Sequence, residues 1–380
     1  MIFICNNTLL FGRYLNMVAL SIKELVGMSQ DNIKNEIFYG REKEFEIILN
    51  AWKKAKNNEP QWVNIIAESG AGKTRLVQEL YQRISTLEHD NTNYWPESLP
   101  IQDEQLEINP SYKSFKGKSA DELASIPWIW WGVRGLKTGM REASEHANAA
   151  QTAKKELEPH LASFVYRSAS KLFLHNSSKS LSSLAISLIP GASFFSSICD
   201  CLFALSDIGS DGSMLEDARN NLNIDIDQRI TNTKVDARTT LVKSLMTIIS
   251  EQSIPEKMVE FLGNNKISPV PLILVLDDVQ WFDEDSRLVI KNLIEELGEK
   301  KLPLMILSTT WSREWKEGEH SLIDEYELFQ GEKEQIDLGG IEKKNAELLL
   351  KSHFSGLSKG NVKLIVDRAN GNLRYLMELI

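Results

Sequence analysis

Four largely apolar runs recur along the chain, and amphipathic stretches follow several of them. The runs occupy residues 61–66, 126–134, 271–276 and 303–307, and a shorter segment at 335–338 is assigned as a fifth strand. Apolar runs without polar alternation are typical of parallel strands that are buried on both faces. Residues 76–84 and 288–297 instead place their apolar side chains at helical spacing. The pattern predicts an α/β fold, a three-layer core in which helices flank a five-stranded parallel sheet.

Two long stretches depart from this alternation. Residues 88–118 are polar and rich in Pro, Asn and Ser, which is typical of a loop. Residues 136–232 are interpreted as a large helical insertion in the core, to which the sequence assigns no role. Within the insertion, residues 181–205 are nearly uncharged, and Pro190-Gly191 divides them into two short apolar helices. A buried helical hairpin is expected there, with contact to a membrane or to a partner protein as the alternative.

The predicted elements divide the chain into three parts. Residues 1–35 form an N-terminal extension, residues 36–332 form the core, and residues 333–380 contain the fifth strand and C-terminal helices. The spacing of Leu348, Leu349, Leu350 and Phe354 indicates that they pack together on a helix. No repeat or further domain follows, so we expect either a fragment of a longer protein or a short member of its class.

Composition narrows the class of protein. The chain has 380 residues, of which 42% are hydrophobic and 25% charged, as is ordinary for a globular protein of more than one domain. Its three cysteines, Cys5, Cys199 and Cys201, provide neither a disulfide framework nor a four-ligand zinc site, and they suit the reducing cytoplasm. The first 30 residues lack the pattern of a signal peptide or a membrane span. A cytoplasmic protein is therefore expected.

Nucleic acid is not the expected partner. The net charge of −10 argues against a protein that coats nucleic acid non-specifically. Trp128, Trp130 and Trp131 could in principle stack on unpaired bases, but no Lys or Arg is interleaved with them. A buried strand at residues 126–134 is the preferred interpretation.

The first strand ends in a glycine-rich loop that leads into an amphipathic helix. This loop, Ala67-Glu68-Ser69-Gly70-Ala71-Gly72-Lys73-Thr74, has the spacing of a phosphate-binding P-loop, with Ala67 in place of the usual first glycine. Gly70 and Gly72 allow successive N–H groups to face an anion, next to the N-terminus of the helix. We expect Lys73 to reach the β- and γ-phosphates of ATP and the Thr74 hydroxyl to ligate Mg²⁺. Arg75 extends this candidate nucleotide-binding segment.

Two carboxylates, Asp277 and Asp278, follow the apolar run at 271–276. Side chains at the carboxyl ends of parallel strands lie where α/β sheets bind their ligands. Asp277 is therefore predicted to hold Mg²⁺ through water, and Asp278 to orient or deprotonate the attacking water. A turn built from paired acidic residues is the alternative.

Residues 276–286, LDDVQWFDEDS, resemble the LDDxQWxD signature of STAND proteins (signal transduction ATPases with numerous domains) that carry an origin-recognition-like AAA domain. Phe282 stands where that signature usually has a small residue. The resemblance covers residues 36–86, 235–315 and 333–380. It implies an AAA+-like P-loop ATPase whose C-terminal helices form a lid. Ser286 is expected to cap the helix after the signature.

The same resemblance implies roles for residues outside these motifs. Tyr39, Gly40 and Arg41 resemble the box that lies over the adenine base, and a packing turn explains them equally well. Thr309 or Thr310 takes the position of sensor 1, which contacts the γ-phosphate or the attacking water. Arg313 follows that strand, and Arg374 takes the position of sensor 2. An arginine on the surface without a ligand is the alternative for Arg374.

Three functions are compatible with these patterns. The first is a regulatory switch that binds ATP and Mg²⁺, hydrolyses ATP slowly and signals to an unidentified protein partner, with oligomerisation left open. The second is a DNA-associated, origin-recognition-like ATPase, which would need a basic module that the sequence does not show. The third is a nucleotide-binding scaffold without hydrolysis.

Overall fold

The computed structural model describes part of the chain in detail. The described residues are 39–87, 99, 101–102, 105–110, 128–135, 241–242, 245–246, 249–250, 252–253, 266–267, 269–317, 322–354 and 356–379. The N-terminal extension at 1–35, the insertion at 136–232, the apolar stretch at 181–205 and all three cysteines lie outside these residues. In the described part, no helix is long and apolar enough to cross a membrane.

A five-stranded parallel sheet forms the centre of the fold. Its strands are β1 (Gln61–Ile66), β2 (Ile129–Arg134), β3 (Leu272–Asp277), β4 (Leu304–Thr310) and β5 (Glu332–Asp337). Their order across the sheet is β2-β3-β4-β1-β5, so β4 lies between the strand before the glycine-rich loop and the strand that ends in Asp277. This sheet and its flanking helices confirm the predicted α/β fold class.

Burial explains which strands the sequence predicted well. Every residue of β1, β3 and β4 is buried, as their apolar runs require. β5 lies at an edge of the sheet and exposes five of its six residues, and its sequence EKEQID is accordingly polar. It begins at Glu332 rather than at Gln335, because an edge strand is buried on one side only and shows no apolar run.

Eight helices are defined in the described residues. They are α1 (Glu42–Lys56), α2 (Lys73–Leu87), α3 (Glu284–Leu297), α4 (Ser312–Glu317), α5 (Ile323–Leu328), α6 (Lys343–His353), α7 (Lys359–Ala369) and α8 (Leu373–Glu378). A single 3₁₀ turn, Val279–Trp281, joins β3 to α3. Two short antiparallel ladders pair Ile101–Gln102 with Gln105–Leu106 and Gln252–Ser253 with Lys266–Ile267. Leu241, Leu245 and Ile249 are also helical and buried.

The cap of α3 differs from the sequence prediction. Asp283 is the N-cap residue, and its side chain accepts a 2.7 Å hydrogen bond from the backbone N–H of Ser286. The expectation that Ser286 caps this helix was therefore wrong. Asp283 and Ser286 are three residues apart, the usual spacing between a cap side chain and the N–H that it satisfies.

Aromatic side chains of α2 pack against those at the start of β2. Tyr81 makes edge-to-face contacts with Trp128 and Trp130, at ring-centroid distances of 5.7 and 5.1 Å. Trp128, Trp130 and Trp131 are at most 1% exposed. They therefore belong to the core, as the strand interpretation predicts, and offer no surface on which a base could stack.

The described residues form two compact units. The sheet unit contains residues 47–66 and the described residues from 74 to 336. The loop unit contains residues 39–46, 67–73 and 337–379. Its core is formed by Ile341, Ala346, Leu350, Val362, Ile365, Val366, Ala369 and Leu376. Leu350 is buried there, whereas Leu348 is 40% exposed, so the predicted packing of Leu348 was wrong.

Candidate functional site

The glycine-rich loop connects the end of β1 to the start of α2 and has the backbone conformation that its glycines permit. Gly70 and Gly72 have φ angles of +82° and +97°, a region that side chains with a Cβ rarely adopt. A Cβ on Gly72 would also lie 2.9 Å from Cδ1 of Leu373. Both glycines are therefore required by the loop itself, in addition to any ligand.

Lys73 begins α2 and is only 6% exposed. Its ammonium group donates to the carbonyl oxygens of Ala67 and Glu68, at 3.2 and 3.3 Å. The side chain thus folds back over the loop that precedes it. Arg75, the third residue of α2, pairs with Glu79 at 3.6 Å.

Residues 39–41 lead into α1, and Arg41 contacts the glycine-rich loop. The Arg41 side chain is 8% exposed and lies 3.3 Å from Glu44. Its guanidinium donates to the carbonyl oxygens of Gly339 and Ala71, the second at 3.5 Å.

Gly40 has a φ of +73°, and its N–H donates to the Glu42 carboxylate at 3.0 Å. Hydrogen bonds from the backbone N–H groups of Glu42 and Gly40 lower the pKa of Glu42. Tyr39 is partly exposed.

A segment near the C-terminus contacts the glycine-rich loop through its backbone. Asn372 donates from Nδ2 to the carbonyl of Ser69 at 3.0 Å, and the backbone N–H of Arg374 donates to the carbonyl of Gly70 at 3.1 Å. The Arg374 guanidinium pairs with Glu378 at 2.9 Å, and its side chain is 74% exposed. The segment that carries the sensor 2 candidate thus lies on the loop, while the charged group of that candidate is engaged on its own helix.

In the sheet unit, four side chains meet at the carboxyl ends of β2, β3 and β4. Asp277 is 1% exposed, and both of its carboxylate oxygens lie 3.3 Å from the Thr74 hydroxyl. Thr309 donates to Oδ1 of Asp277 at 2.8 Å, and Arg134 donates from Nε to Oδ2 at 2.9 Å. Three members of this cluster, Thr74, Asp277 and Thr309, were predicted from the sequence as site residues, whereas Arg134 was not.

Asp278 is held beside the cluster in a left-handed conformation, with φ +54° and ψ +53°. Its backbone N–H donates to Thr309 Oγ1 at 2.9 Å, and its Oδ1 accepts from Gln280 at 3.2 Å. Gln280 accepts in turn from the Thr310 hydroxyl, at 3.2 Å, and from the backbone N–H of Trp311. Gln280 thus connects Asp278 to the end of β4, a role that the sequence pattern alone did not assign.

Of the two threonines considered for sensor 1, Thr309 is the one that contacts Asp277. Thr310 is buried and points its hydroxyl at Gln280. Arg313 lies on α4 with its side chain exposed.

The oxygen atoms at the end of β3 fit a magnesium ion. In the described part of the chain, no cluster of three or more His, Cys, Asp or Glu could hold a metal. Magnesium needs fewer protein ligands, because it keeps several of its waters and takes oxygen from one carboxylate or a hydroxyl. Asp277 and Thr74 provide one of each within 3.3 Å.

Comparisons with known proteins add little to this description. No family model and no curated protein matches the chain. Among solved structures, it is similar to the crystal structure of a signal transduction ATPase with numerous domains (STAND) protein with a tetratricopeptide repeat sensor from Pyrococcus horikoshii, with 14% identity and a TM-score of 0.34. The match covers 90% of this chain and 29% of that chain. The chain thus spans less than a third of that protein.

Proposed function

We propose that the chain is an ATP-binding regulatory switch of the STAND type, which binds ATP with Mg²⁺ at residues 67–74 and hydrolyses it slowly. The observation that carries the proposal is the loop between β1 and α2. It combines P-loop spacing, two glycines with positive φ, and a buried lysine at the first position of the following helix.

The loop would bind the phosphates of the nucleotide. Backbone N–H groups around Gly70 and Gly72, with the positive end of α2, would neutralise phosphate charge. Lys73 Nζ would exchange its two carbonyl acceptors for phosphate oxygens, which are stronger acceptors because they are charged. Tyr39, Gly40 and Arg41 remain candidates for the base, although Arg41 also has a structural role in holding Ala71 and Gly339.

Thr74 and Asp277 would hold Mg²⁺, which would neutralise charge on the β- and γ-phosphates. Thr309 would keep the Asp277 carboxylate oriented through its 2.8 Å hydrogen bond. Asp278 would orient a water molecule or accept its proton, and Gln280 would hold the Asp278 carboxylate in place. Arg313 and Arg374 are proposed as further phosphate contacts, with Arg374 first having to leave Glu378.

The contacts of residues 372–374 with the loop support a switch. Two hydrogen bonds join Asn372 and Arg374 to the carbonyls of Ser69 and Gly70, so a change in the loop on nucleotide binding would alter them directly. A ligand shifts a conformational equilibrium only through contacts that differ between the two states. We propose that residues 333–380 act as a lid on a core at 36–332, and that residues 1–35 are an extension. A protein partner in the cytoplasm would recognise the conformation of the lid.

The test uses the full chain and compares Lys73→Ala with Lys300→Ala. Lys300 is an exposed lysine that pairs with Glu296, so its loss controls for the change in charge. Binding of a fluorescent ATP analogue with and without Mg²⁺ is measured by anisotropy, and phosphate release is measured alongside. We expect the wild type and Lys300→Ala to bind alike and Lys73→Ala to lose binding. Equal binding by all three proteins, or none by the wild type, would refute the proposal.

Hydrolysis is tested separately with Asp278→Asn, which keeps the size of the side chain. Slow phosphate release that falls further in this variant, with ATP binding retained, supports the switch. A residual rate that the variant leaves unchanged would instead favour a scaffold without hydrolysis.

A further inference from the structure

Arg134 is the cationic partner of Asp277, and parallel strand pairing places it there. β2 and β3 pair in a register that sets Arg134 directly opposite Asp277. Arg134 Nε then lies 2.9 Å from Oδ2, and the two side chains are 24% and 1% exposed. The next residue, Gly135, has no Cβ, and one would clash with the backbone carbonyl of Asp278. The short sequence Arg134-Gly135 thus lets the two strand ends approach closely.

The pair satisfies a charge that would otherwise be costly. A carboxylate that is 1% exposed loses most of its hydration, and hydroxyl donors such as Thr74 and Thr309 provide hydrogen bonds without charge. The Arg134 guanidinium compensates for the lost hydration of Asp277 in the protein without a metal.

A metal ion at the same place would compete with Arg134. The Thr74 hydroxyl lies 3.3 Å from each carboxylate oxygen of Asp277, and Arg134 contacts one of them, Oδ2. A divalent cation held by Thr74 and Asp277 would therefore share this carboxylate with the guanidinium. Two cations that share one carboxylate repel each other. Arg134 also donates from NH2 to the carbonyl of Leu106 and would keep that partner if it released Asp277.

We propose that Arg134 is a positioning residue that holds Asp277 in the metal-free protein and must release it when Mg²⁺ binds, so that it sets the Mg²⁺ concentration at which the site fills. This inference rests on the proposed function. It explains how the buried Asp277 carboxylate can stay charged in the metal-free protein without destabilising the fold. It also predicts that the site binds metal more weakly than it would without Arg134.

The test measures binding of Mn²⁺ by electron paramagnetic resonance in the presence of a non-hydrolysable ATP analogue. The proteins are the wild type, Arg134→Gln, Arg134→Lys and Arg83→Gln. Arg83 is a matched control, because its Nε also lies 2.9 Å from a carboxylate, that of Glu79. We expect Arg134→Gln to bind Mn²⁺ about tenfold more tightly, as when a carboxylate loses a nearby competing cation. Arg134→Lys should be intermediate, because an ammonium cannot reproduce the planar guanidinium contact, and Arg83→Gln should match the wild type.

Thermal unfolding provides a second readout. Without metal, Arg134→Gln should melt below the wild type, and added Mg²⁺ with nucleotide should close that gap. Unchanged or weaker Mn²⁺ binding in Arg134→Gln would overturn the inference. If Arg134→Gln does not fold, the Mn²⁺ affinity of Arg134→Lys is the test. An Mn²⁺ affinity of Arg134→Lys equal to that of the wild type would then overturn the inference. Binding of the analogue in the presence of Mg²⁺ separates the two proposals: if the wild type fails to bind it, the proposed function fails, whereas binding without the expected metal shift rejects the role of Arg134 alone.

Discussion

The hydroxyl of Thr309 donates a 2.8 Å hydrogen bond to Oδ1 of Asp277 and so joins the ends of two neighbouring parallel strands. The Thr309 hydroxyl oxygen in turn accepts a 2.9 Å hydrogen bond from the backbone N–H of Asp278. One hydroxyl group, fully buried on β4, therefore positions both acidic residues of the proposed site. Its neighbour Thr310 is equally buried but contacts Gln280 instead.

Replacing Thr309 with Val should separate catalysis from binding. The variant keeps the β-branched shape but leaves two buried partners without their hydrogen bonds, which should destabilise the fold by about 1–3 kcal/mol. We expect slower phosphate release and unchanged binding of the nucleotide in EDTA. Thr310→Val is the matched control and should affect release less. If Thr310→Val slows release more than Thr309→Val, Thr309 is not the residue that acts at this strand end.

Replacing Arg41 with Ala should weaken the loop unit. The change removes a buried guanidinium that donates to Ala71 and Gly339, and it leaves their carbonyls without this donor. We expect a loss of about 2–4 kcal/mol in the free energy of unfolding, measured with urea, because the bonds involve a charged, buried donor. Arg368→Ala, an exposed arginine on α7, should change stability by less than about 0.5 kcal/mol. Equal losses of unfolding free energy in Arg41→Ala and Arg368→Ala would show that Arg41 does not stabilise the loop.

Two glycine substitutions should have opposite effects. Gly72→Ala forces a Cβ into a backbone conformation with φ +97° and against Leu373, so it should cost at least about 1–2 kcal/mol and abolish ATP binding. Gly360→Ala lies in α7, where the nearest atom to an added Cβ is 3.9 Å away. That change should stabilise the protein by up to about 1 kcal/mol through helix propensity. Urea unfolding and anisotropy measure both, and normal ATP binding by Gly72→Ala would contradict the loop geometry.

The Glu42 carboxylate should make stability depend on pH. Its pKa is lowered from 4.5 by backbone N–H groups, so the folded state binds the proton less readily than the unfolded state does. The contribution is therefore fully present above the unfolded value of 4.5 and is lost as the pH falls through the lower folded value. The difference in unfolding free energy between the wild type and Glu42→Gln should be small, because the group is exposed, and should shrink in acid. A difference that grows as the pH falls would contradict this assignment.

Local patterns were sufficient where one segment forms its own environment. The apolar runs of β1, β3 and β4 identify buried strands, because a strand covered on both faces requires apolar side chains at nearly every position. The glycine-rich turn between β1 and α2 could be predicted for a similar reason, because the positive φ angles of Gly70 and Gly72 are a property of that short segment.

The pattern failed where a neighbour in space changes the environment. β5 was placed too late because its edge position allows charged residues, and Leu348 was assigned to a core that α6 does not present on that side. The error at Ser286 was local instead: Asp283, three residues earlier in the chain, has the acceptor that caps the helix.

The sequence by itself determined the order of the strands along the chain, the spacing of the glycine-rich loop and the position of two acidic residues at the end of β3, because each depends on residues that are close along the chain. Only the tertiary structure decided that Arg134 is the partner of Asp277, that Arg41 holds Ala71 and Gly339, and that the Asn372 segment lies on the loop. These pairs are separated by between 30 and 303 positions. The Arg134–Asp277 pair depends on sheet order and register, and the other two contacts depend on how distant loops meet; hydrophobic periodicity encodes none of these.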